Sequence, residues 1–308
     1  MCASRYGRPF DNRLSRRVEP ESWGCIVRVQ VSGGEIAYDE AGKGPAMILS
    51  HAGIADRRMW RHQFRELATD HRVVCYDWRG HGESSNAQGE VVHHQDLLGL
   101  MDALDIPTAH LVGCSMGGGY ALEVALVAPE RVRSLTLVCS GLPGYVWPPA
   151  MIREVKEQVH SSVPVDRLEA YQSYRSDRVN PEDVAAMAEA QARYMVAGPS
   201  RDPAQVDPEV WKLAVGMLCG VFERQWTDGP VVERHLEPPA VGRLGEVSAP
   251  TLVISGRGDV PWIQDVSDVL SEGIPGARRL DIADTAHLPP LERPAQVTEA
   301  IRSNSRVT

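Results

Sequence analysis

Apolar positions along this 308-residue chain recur at two periods, and the two alternate. Cys25-Ile26-Val27-Arg28-Val29-Gln30-Val31 alternates with period two, as a half-buried strand does. Ser32-Gly33-Gly34 turns the chain and residues 35–40 return, so a β-hairpin is expected. Short apolar runs at 46–50, 72–76, 109–112, 132–139, 251–255 and 278–282 read as further strands, the unbroken ones central and buried on both faces. Between them lie segments of helical spacing. Residues 59–68 place Met59, Trp60, Phe64 and Leu67 on one face, and residues 91–104 do the same with Leu97, Leu98, Met101 and Leu104. Residues 120–127, 262–270 and 294–301 complete the set. This alternation predicts an α/β protein: a parallel sheet with helices on both faces, joined by right-handed crossovers. Active groups should then gather at the carboxyl ends of the strands.

From about 142 to 245 the rhythm changes. Strand signals stop, and helix-like segments at 151–159, 165–174, 181–196 and 208–222 are punctuated by prolines. This stretch reads as a helical cap over the carboxyl edge of the sheet. An independent helical domain is the alternative, disfavoured because the strand rhythm resumes immediately afterwards. The expected organisation is an arm at 1–22, a core at 23–141 and 246–308, and a cap at 142–245. The arm is polar and carries Arg5, Arg8, Arg13, Arg16 and Arg17 with no apolar run behind them, so it is not read as a secretory signal.

Composition narrows the partners. With 43% hydrophobic residues a packed core is expected, and a net charge of −9 argues against nucleic acid or an anionic membrane surface. No apolar run is long enough to span a bilayer. The six cysteines include no C-x-x-C pair, and Cys75, Cys114 and Cys139 sit in or beside apolar runs. They read as small buried hydrophobes, not a disulfide framework or zinc site, and a reducing cytoplasmic setting fits.

The candidate chemistry centres on Gly113-Cys114-Ser115-Met116-Gly117, between the strand run at 109–112 and the helical run at 120–127. A serine at a sharp strand-to-helix turn is forced outward, and the helix N-terminus points free N–H groups at it. Taken alone, the pentapeptide is equally a glycine-rich turn that packs a helix on a sheet. Gly117-Gly118-Gly119 lacks the Lys-Ser/Thr of a phosphate loop. His93 and His94, adjacent on a helix, point apart and are expected on a solvated face.

Further pieces lie at other strand ends: His51-Ala52-Gly53, residues 77–84 (Asp-Trp-Arg-Gly-His-Gly-Glu-Ser), Ser255-Gly256-Arg257-Gly258-Asp259 and Ala286-His287. Together, in this order, they resemble the α/β-hydrolase superfamily from about Ile26 to Ile301, with capped serine esterases and lactonases as the nearest type. The resemblance implies a mostly parallel eight-stranded sheet with a helical cap, and a triad in the order Ser115, Asp259, His287. His287 would be the base, since histidine alone titrates near neutrality unperturbed, and Asp259 would hold its tautomer. Asp265 and Asp268 lie within the following helix, and Cys139-Ser140-Gly141 offers no carboxylate. The oxyanion donors implied are the N–H groups of Met116 and Gly53; Ala52 stands where the family usually has glycine, which leaves Gly53 against Ala52 open. His51 is expected to brace that loop, and Asp77 and Arg79 to tie the turn after their strand. Trp147 and Met217 are singled out from the cap's aromatic and methionine positions as substrate-lining residues.

The expected activity is hydrolysis of a carboxylic ester or lactone with an apolar body, through an acyl-enzyme, without metal or organic cofactor, by a monomer or homodimer. The same triad also serves C–C hydrolysis, cofactor-free perhydrolysis, and biosynthetic elimination or cyclisation. A small-molecule receptor with vestigial turnover is the alternative from another class.

Overall fold

The structure, a computed structural model, describes residues 26–307; the arm expected at 1–22 lies outside them. Strand patterns become β1 (Val27–Val31), β2 (Gly34–Ala41), β3 (Ala46–Ser50) and β4 (Arg72–Tyr76). A short β5 (Gly89–Val91) precedes β6 (Ala109–Cys114) and β7 (Val132–Val138). After β8 (Val231–Glu233) come β9 (Thr251–Gly256) and β10 (Arg278–Ile282). Eight of them form one sheet in the order β1-β2-β4-β3-β6-β7-β9-β10. The β1–β2 and β2–β4 pairs are antiparallel and the remainder parallel, which is the mostly parallel sheet expected.

Register sets the level at which the chemistry sits. Ser50 pairs with both Tyr76 and Gly113, Cys114 with Val138, Val138 with Ile254, and Ile282 with Gly256. The residues that follow, His51, Asp77, Ser115, Cys139 and Arg257, therefore leave the sheet along one carboxyl edge.

Alternation distributes the apolar side chains to two faces. Met47 and Leu49 of β3 join one buried cluster, while Ile48 joins the other. Helices α1 (Arg61–Leu67) and α10 (Pro294–Ser305) cover the first face with Phe64, Leu67, Val297 and Ile301. Helices α2 (His93–Ala103) and α3 (Met116–Val127) cover the second with Leu97, Leu100, Leu122 and Val124. Helix α8 (Pro261–Gly273) contributes Val266 and Leu270 there, and α9 (Pro289–Glu292) is a single turn before α10. Helix α3 is buried from Gly117 to Leu126, consistent with apolar residues on all its sides.

Between β7 and β9 lies a helical insertion: α4 (Pro149–Gln158), α5 (Val165–Gln172), α6 (Pro181–Ala192) and α7 (Pro208–Thr227). Three details differ from the sequence expectation. Helix α7 runs on to Thr227, five residues past the expected end at 222. The α6 pattern ends early because Arg193–Ala197 widens into a π turn. The insertion also contains β8, too short to signal itself, which pairs in parallel with β5 and ties the insertion's last stretch to the loop after β4. No helix among the described residues is long and apolar enough to cross a membrane.

Candidate active site

Ser115 joins β6 to α3 with φ 52° and ψ −126°, outside the conformations a residue with a Cβ ordinarily adopts. Glycine is required on both sides of it. A Cβ on Gly113 would collide with the Gly117 backbone, and one on Gly117 with the backbone oxygens of Ser50 and His51. The turn is thus wedged between its own helix and the loop after β3. The Ser115 carbonyl accepts from the N–H groups of Gly118 (2.9 Å) and Gly141 (2.7 Å), and its N–H donates to the Val138 carbonyl (3.0 Å), pinning the turn to the end of β7.

Asp259 and His287 come together as a buried pair. His287 Nδ1 lies 2.7 Å from Asp259 Oδ2, and neither side chain has exposed surface. An ionised carboxylate only accepts, so Nδ1 carries the proton and Nε2 is left as an acceptor. That Nε2 is buried and has no hydrogen-bond partner. The other Asp259 oxygen accepts from the Val260 N–H at 2.8 Å. Two thiols hold the His287 loop from beneath: Cys114 Sγ donates to the His287 carbonyl (3.7 Å) and Cys139 Sγ to the Ala286 carbonyl (3.6 Å). Because Cys114 immediately precedes Ser115, the first contact brings the His287 loop to the serine turn.

Cys139, Asp259 and His287 offer potential metal-ligand atoms within 4.8 Å of one another. The donor set does not suit zinc. Burial, then the neighbouring Asp259, push the Cys139 thiol well above its ordinary pKa, its proton is given to the Ala286 carbonyl, and His287 Nδ1 and Asp259 Oδ2 are bonded to each other. The Cys139 sulfur also accepts from the Gly256 N–H at 3.4 Å.

The loop after β3 is braced by His51, as expected. Its Nε2 accepts from the Trp78 N–H (3.2 Å), its Nδ1 donates to the Ala52 carbonyl (2.8 Å), and its ring stacks on Trp78 at 4.1 Å. Burial above all holds this imidazole neutral, well below its ordinary pKa. The Ala52 N–H is occupied by Met59 Sδ at 3.3 Å. Gly53 packs directly beneath Met116, so that a Cβ there would stand 2.9 Å from Met116 Sδ.

Asp77 accepts from the Arg57 N–H (2.7 Å), the Arg57 guanidinium and the Glu83 N–H (2.9 Å). Arg79 forms a two-pronged pair with Asp96 at 2.8 and 3.0 Å. Both charges tie the turn after β4. His93 and His94 depart from the sequence expectation. Both are buried, and both rings meet α3, His93 at Tyr120 and His94 at Glu123, one turn apart on that helix. His94 donates to Glu123 (3.0 Å), and His93 packs on Tyr120 with ring centroids 4.6 Å apart.

In the insertion, Trp147 is partly buried against both clusters and packs edge-on against Tyr145. Met217 is buried at the wall of a cavity of about 710 Å³ whose other walls include Asp39, Asp56, Arg57 and Arg224, a polar setting where an apolar one was anticipated. A second cavity of about 260 Å³ reaches Gly53 and Met116 and is bounded by Trp78, His81, His93, Tyr120 and Arg224. Tyr120 and Arg224 were missed in the sequence. Only the single aromatic among small residues at the start of α3 hinted at the first, and nothing in α7 marked the second.

A parallel sheet with a strained serine turn and a buried Asp–His pair along one carboxyl edge defines a class, the α/β proteins that carry their chemistry on strand-end loops. A model of the alpha/beta hydrolase fold matches residues 45–294, and the chain belongs to that family. It is 26% identical over 282 residues to 3-oxoadipate enol-lactonase 1 of Acinetobacter baylyi, covering 88% of this chain and 90% of that one. It is 30% identical over 269 residues to a 2-hydroxy-6-oxononadienedioate/2-hydroxy-6-oxononatrienedioate hydrolase of Paraburkholderia xenovorans, covering 82% and 84%. A thermophilic esterase from Thermogutta terrifontis superposes with a TM-score of 0.69 at 26% identity, covering 91% of this chain and 97% of that one. The chain is an α/β-fold hydrolase.

Proposed function

We propose that the protein hydrolyses a carboxylic ester or lactone, with Ser115 as nucleophile, His287 as base and Asp259 as the group that orients the base. The observation that carries this reading is the state of His287: Nδ1 committed to Asp259, Nε2 buried and unpartnered, and the loop held against the residue preceding Ser115.

In this scheme Ser115 Oγ attacks the carbonyl carbon while its proton passes to His287 Nε2. The carbonyl oxygen becomes an oxyanion facing the N–H groups of Met116, the first residue of α3, and Gly53. Gly53 is favoured over Ala52 because the Ala52 N–H already points at Met59 Sδ. Collapse of the intermediate breaks the bond to the alkoxy oxygen, and the Nε2 proton goes to that oxygen. The alcohol departs, or, in a lactone, remains tethered to the acyl group. Water then attacks the acyl-enzyme, gives its proton to Nε2, and the acid is released as the proton returns to Ser115.

Turnover of p-nitrophenyl butyrate tests the scheme directly. The wild-type chain should release nitrophenol and take up one equivalent of a serine-directed phosphonate, and Ser115→Ala should lose both. Turnover that survives in Ser115→Ala overturns the assigned nucleophile, and a wild-type chain that binds esters without turnover or labelling indicates a receptor.

A further inference from the structure

The guanidinium of Arg201, just past the π turn that follows α6, uses all five of its N–H donors. Two of them stay within the insertion: Nε donates to the Ala197 carbonyl (2.8 Å) and Nη2 to the Val196 carbonyl (2.7 Å). The other three cross to the core. Nη1 donates to the Asp284 carbonyl at 3.1 Å, on the loop that carries His287. Two further bonds go to Glu292 at the end of α9, Nη1 to Oε2 (2.7 Å) and Nη2 to Oε1 (3.1 Å). Glu292 in turn accepts from Thr285 Oγ1 (2.8 Å) and from the Ala286 N–H (3.1 Å). A single ion pair, its side chains 15% and 4% exposed, therefore joins the π turn to residues 284–286.

The π turn also lies directly on both loops of the Asp–His pair. The Met195 carbonyl accepts from the His287 N–H at 3.3 Å. Gly198 passes so close that a Cβ there would stand 2.1 Å from the Gly258 carbonyl oxygen and 3.1 Å from the Ala286 Cβ. Gly258 immediately precedes Asp259, and its N–H donates to the Thr285 carbonyl at 2.9 Å. Asp284 has a φ of 54°, a conformation that persists in a residue with a Cβ only where the surroundings hold it. Its carbonyl is gripped by two guanidinium groups, Arg201 at 3.1 Å and Arg293 at 2.7 Å.

Bond strength decides which of these contacts sets the loop. The contacts from Cys114 and Cys139 on its other side are long, and a thiol is a weak donor. Hydrogen bonds with an ionised partner are roughly twice as strong as neutral ones, and both Arg201 and Glu292 supply them. We propose that Arg201 and Glu292 are positioning residues for the base: they fix the His287 loop where Nε2 serves Ser115, and they make that placement depend on the insertion. The inference rests on the catalytic role proposed for His287 and adds what sets its position. The bonds of this ion pair reach backbone groups and Thr285, not a triad side chain. Its loss therefore acts on the rate of the chemical step and not on substrate affinity. A shift of about 1 Å in a reacting group costs about 10²-fold in rate.

Two measurements test it, one kinetic and one spectroscopic. With p-nitrophenyl butyrate, Arg201→Ala should lower kcat about 10- to 100-fold and leave KM within about twofold of wild type. Arg201→Lys keeps the charge but offers three donors in place of five, so its kcat should fall between the two; it also serves if Arg201→Ala does not fold. Ethylguanidinium added to Arg201→Ala should restore part of the lost rate. Arg167→Met breaks an ion pair between α5 and α6, Arg167 to Asp183 at 2.9 Å, and controls for loosening of the insertion in general. It should leave kcat within about twofold. In the second measurement, proton NMR follows the downfield resonance of His287 Nδ1–H on Asp259. The signal should persist in Arg167→Met and be lost to exchange in Arg201→Ala. A kcat within twofold of wild type in Arg201→Ala, a loss confined to KM, an equal loss in Arg167→Met, or a resonance unchanged by Arg201→Ala overturns the positioning role and leaves the hydrolytic reading intact. If the wild-type chain turns over no ester, the hydrolytic reading falls and the resonance alone decides: its loss in Arg201→Ala but not in Arg167→Met upholds the positioning of His287, and its persistence in both overturns it.

Discussion

Asp259 faces His287 with one carboxylate oxygen and its own chain with the other: Oδ2 lies 2.7 Å from Nδ1, while Oδ1 accepts from the Val260 N–H at 2.8 Å. The second contact makes Asp259→Asn informative. The backbone donor claims the amide oxygen, so the NH₂ group is turned to His287. The imidazole must then accept at Nδ1 and carry its proton on Nε2, where it no longer serves as a base for Ser115. The expected loss in kcat is about 10³- to 10⁴-fold with the fold retained. Ester turnover followed together with the thermal unfolding midpoint checks this; a loss below tenfold with unchanged Tm removes Asp259 from its proposed role.

Arg57 is buried between Asp39 and Asp77, with Nε 2.6 Å from Asp39 Oδ2 and Nη1 in close contact with Asp77. Replacing it by methionine leaves two buried carboxylates without their cation. Arg57→Met should lose about 3–5 kcal/mol in urea unfolding, the range for breaking a buried ion pair by removing one partner. Adding Asp39→Asn should recover part of that loss, since it removes one stranded charge.

The helix that follows Ser115 is latched to the end of the insertion through Glu123. Its carboxylate accepts from His94 (3.0 Å), His235 (3.1 Å) and the Leu236 N–H (3.0 Å). Burial alone would raise its pKa, but the bonds from His235, His94 and Leu236 outweigh it and hold the group at about 2. His235 is raised above 6.5, chiefly by its bond to Glu123. A raised histidine stabilises fully below its unfolded value of 6.5 and loses that contribution as pH climbs through the higher folded value. The depressed glutamate stabilises above its unfolded value of 4.5 and fails only as pH falls towards 2. Both contributions are therefore complete between 4.5 and 6.5. The Tm gap between wild type and Glu123→Gln should be wider at pH 5.5 than at pH 8.5 by about 1–2 °C, small because His235 is partly exposed. A gap that widens on the alkaline side contradicts the latch.

Gly117 tests the wedge under Ser115. A methyl group there meets the carbonyls of Ser50 and His51, which are backbone and cannot rotate away. Gly117→Ala should cost about 1–3 kcal/mol in denaturant unfolding, as overpacking does. It should also lower ester turnover, because the loop it displaces carries Gly53. Unchanged stability and turnover show that the loop yields freely.

The strand-helix alternation was readable because period-two and 3.6-residue patterns are local, and each strand end carried its own marker in Ser115, Asp77, Asp259 or His287. The helical insertion was readable for the same reason. Burial of His93 and His94 was not, since it depends on α3, a separate element that the helical pattern of α2 does not contain. The short β8 strand was hidden likewise, its partner β5 lying more than a hundred residues earlier.

The sequence by itself thus determined the succession along the chain of the main-sheet strands and their helices and the residue types available at the carboxyl edge, because both follow from local pattern and turn chemistry. Tertiary structure alone decided which groups are left without partners. His287 Nε2 acquires that state only where segments distant in sequence pack together around it.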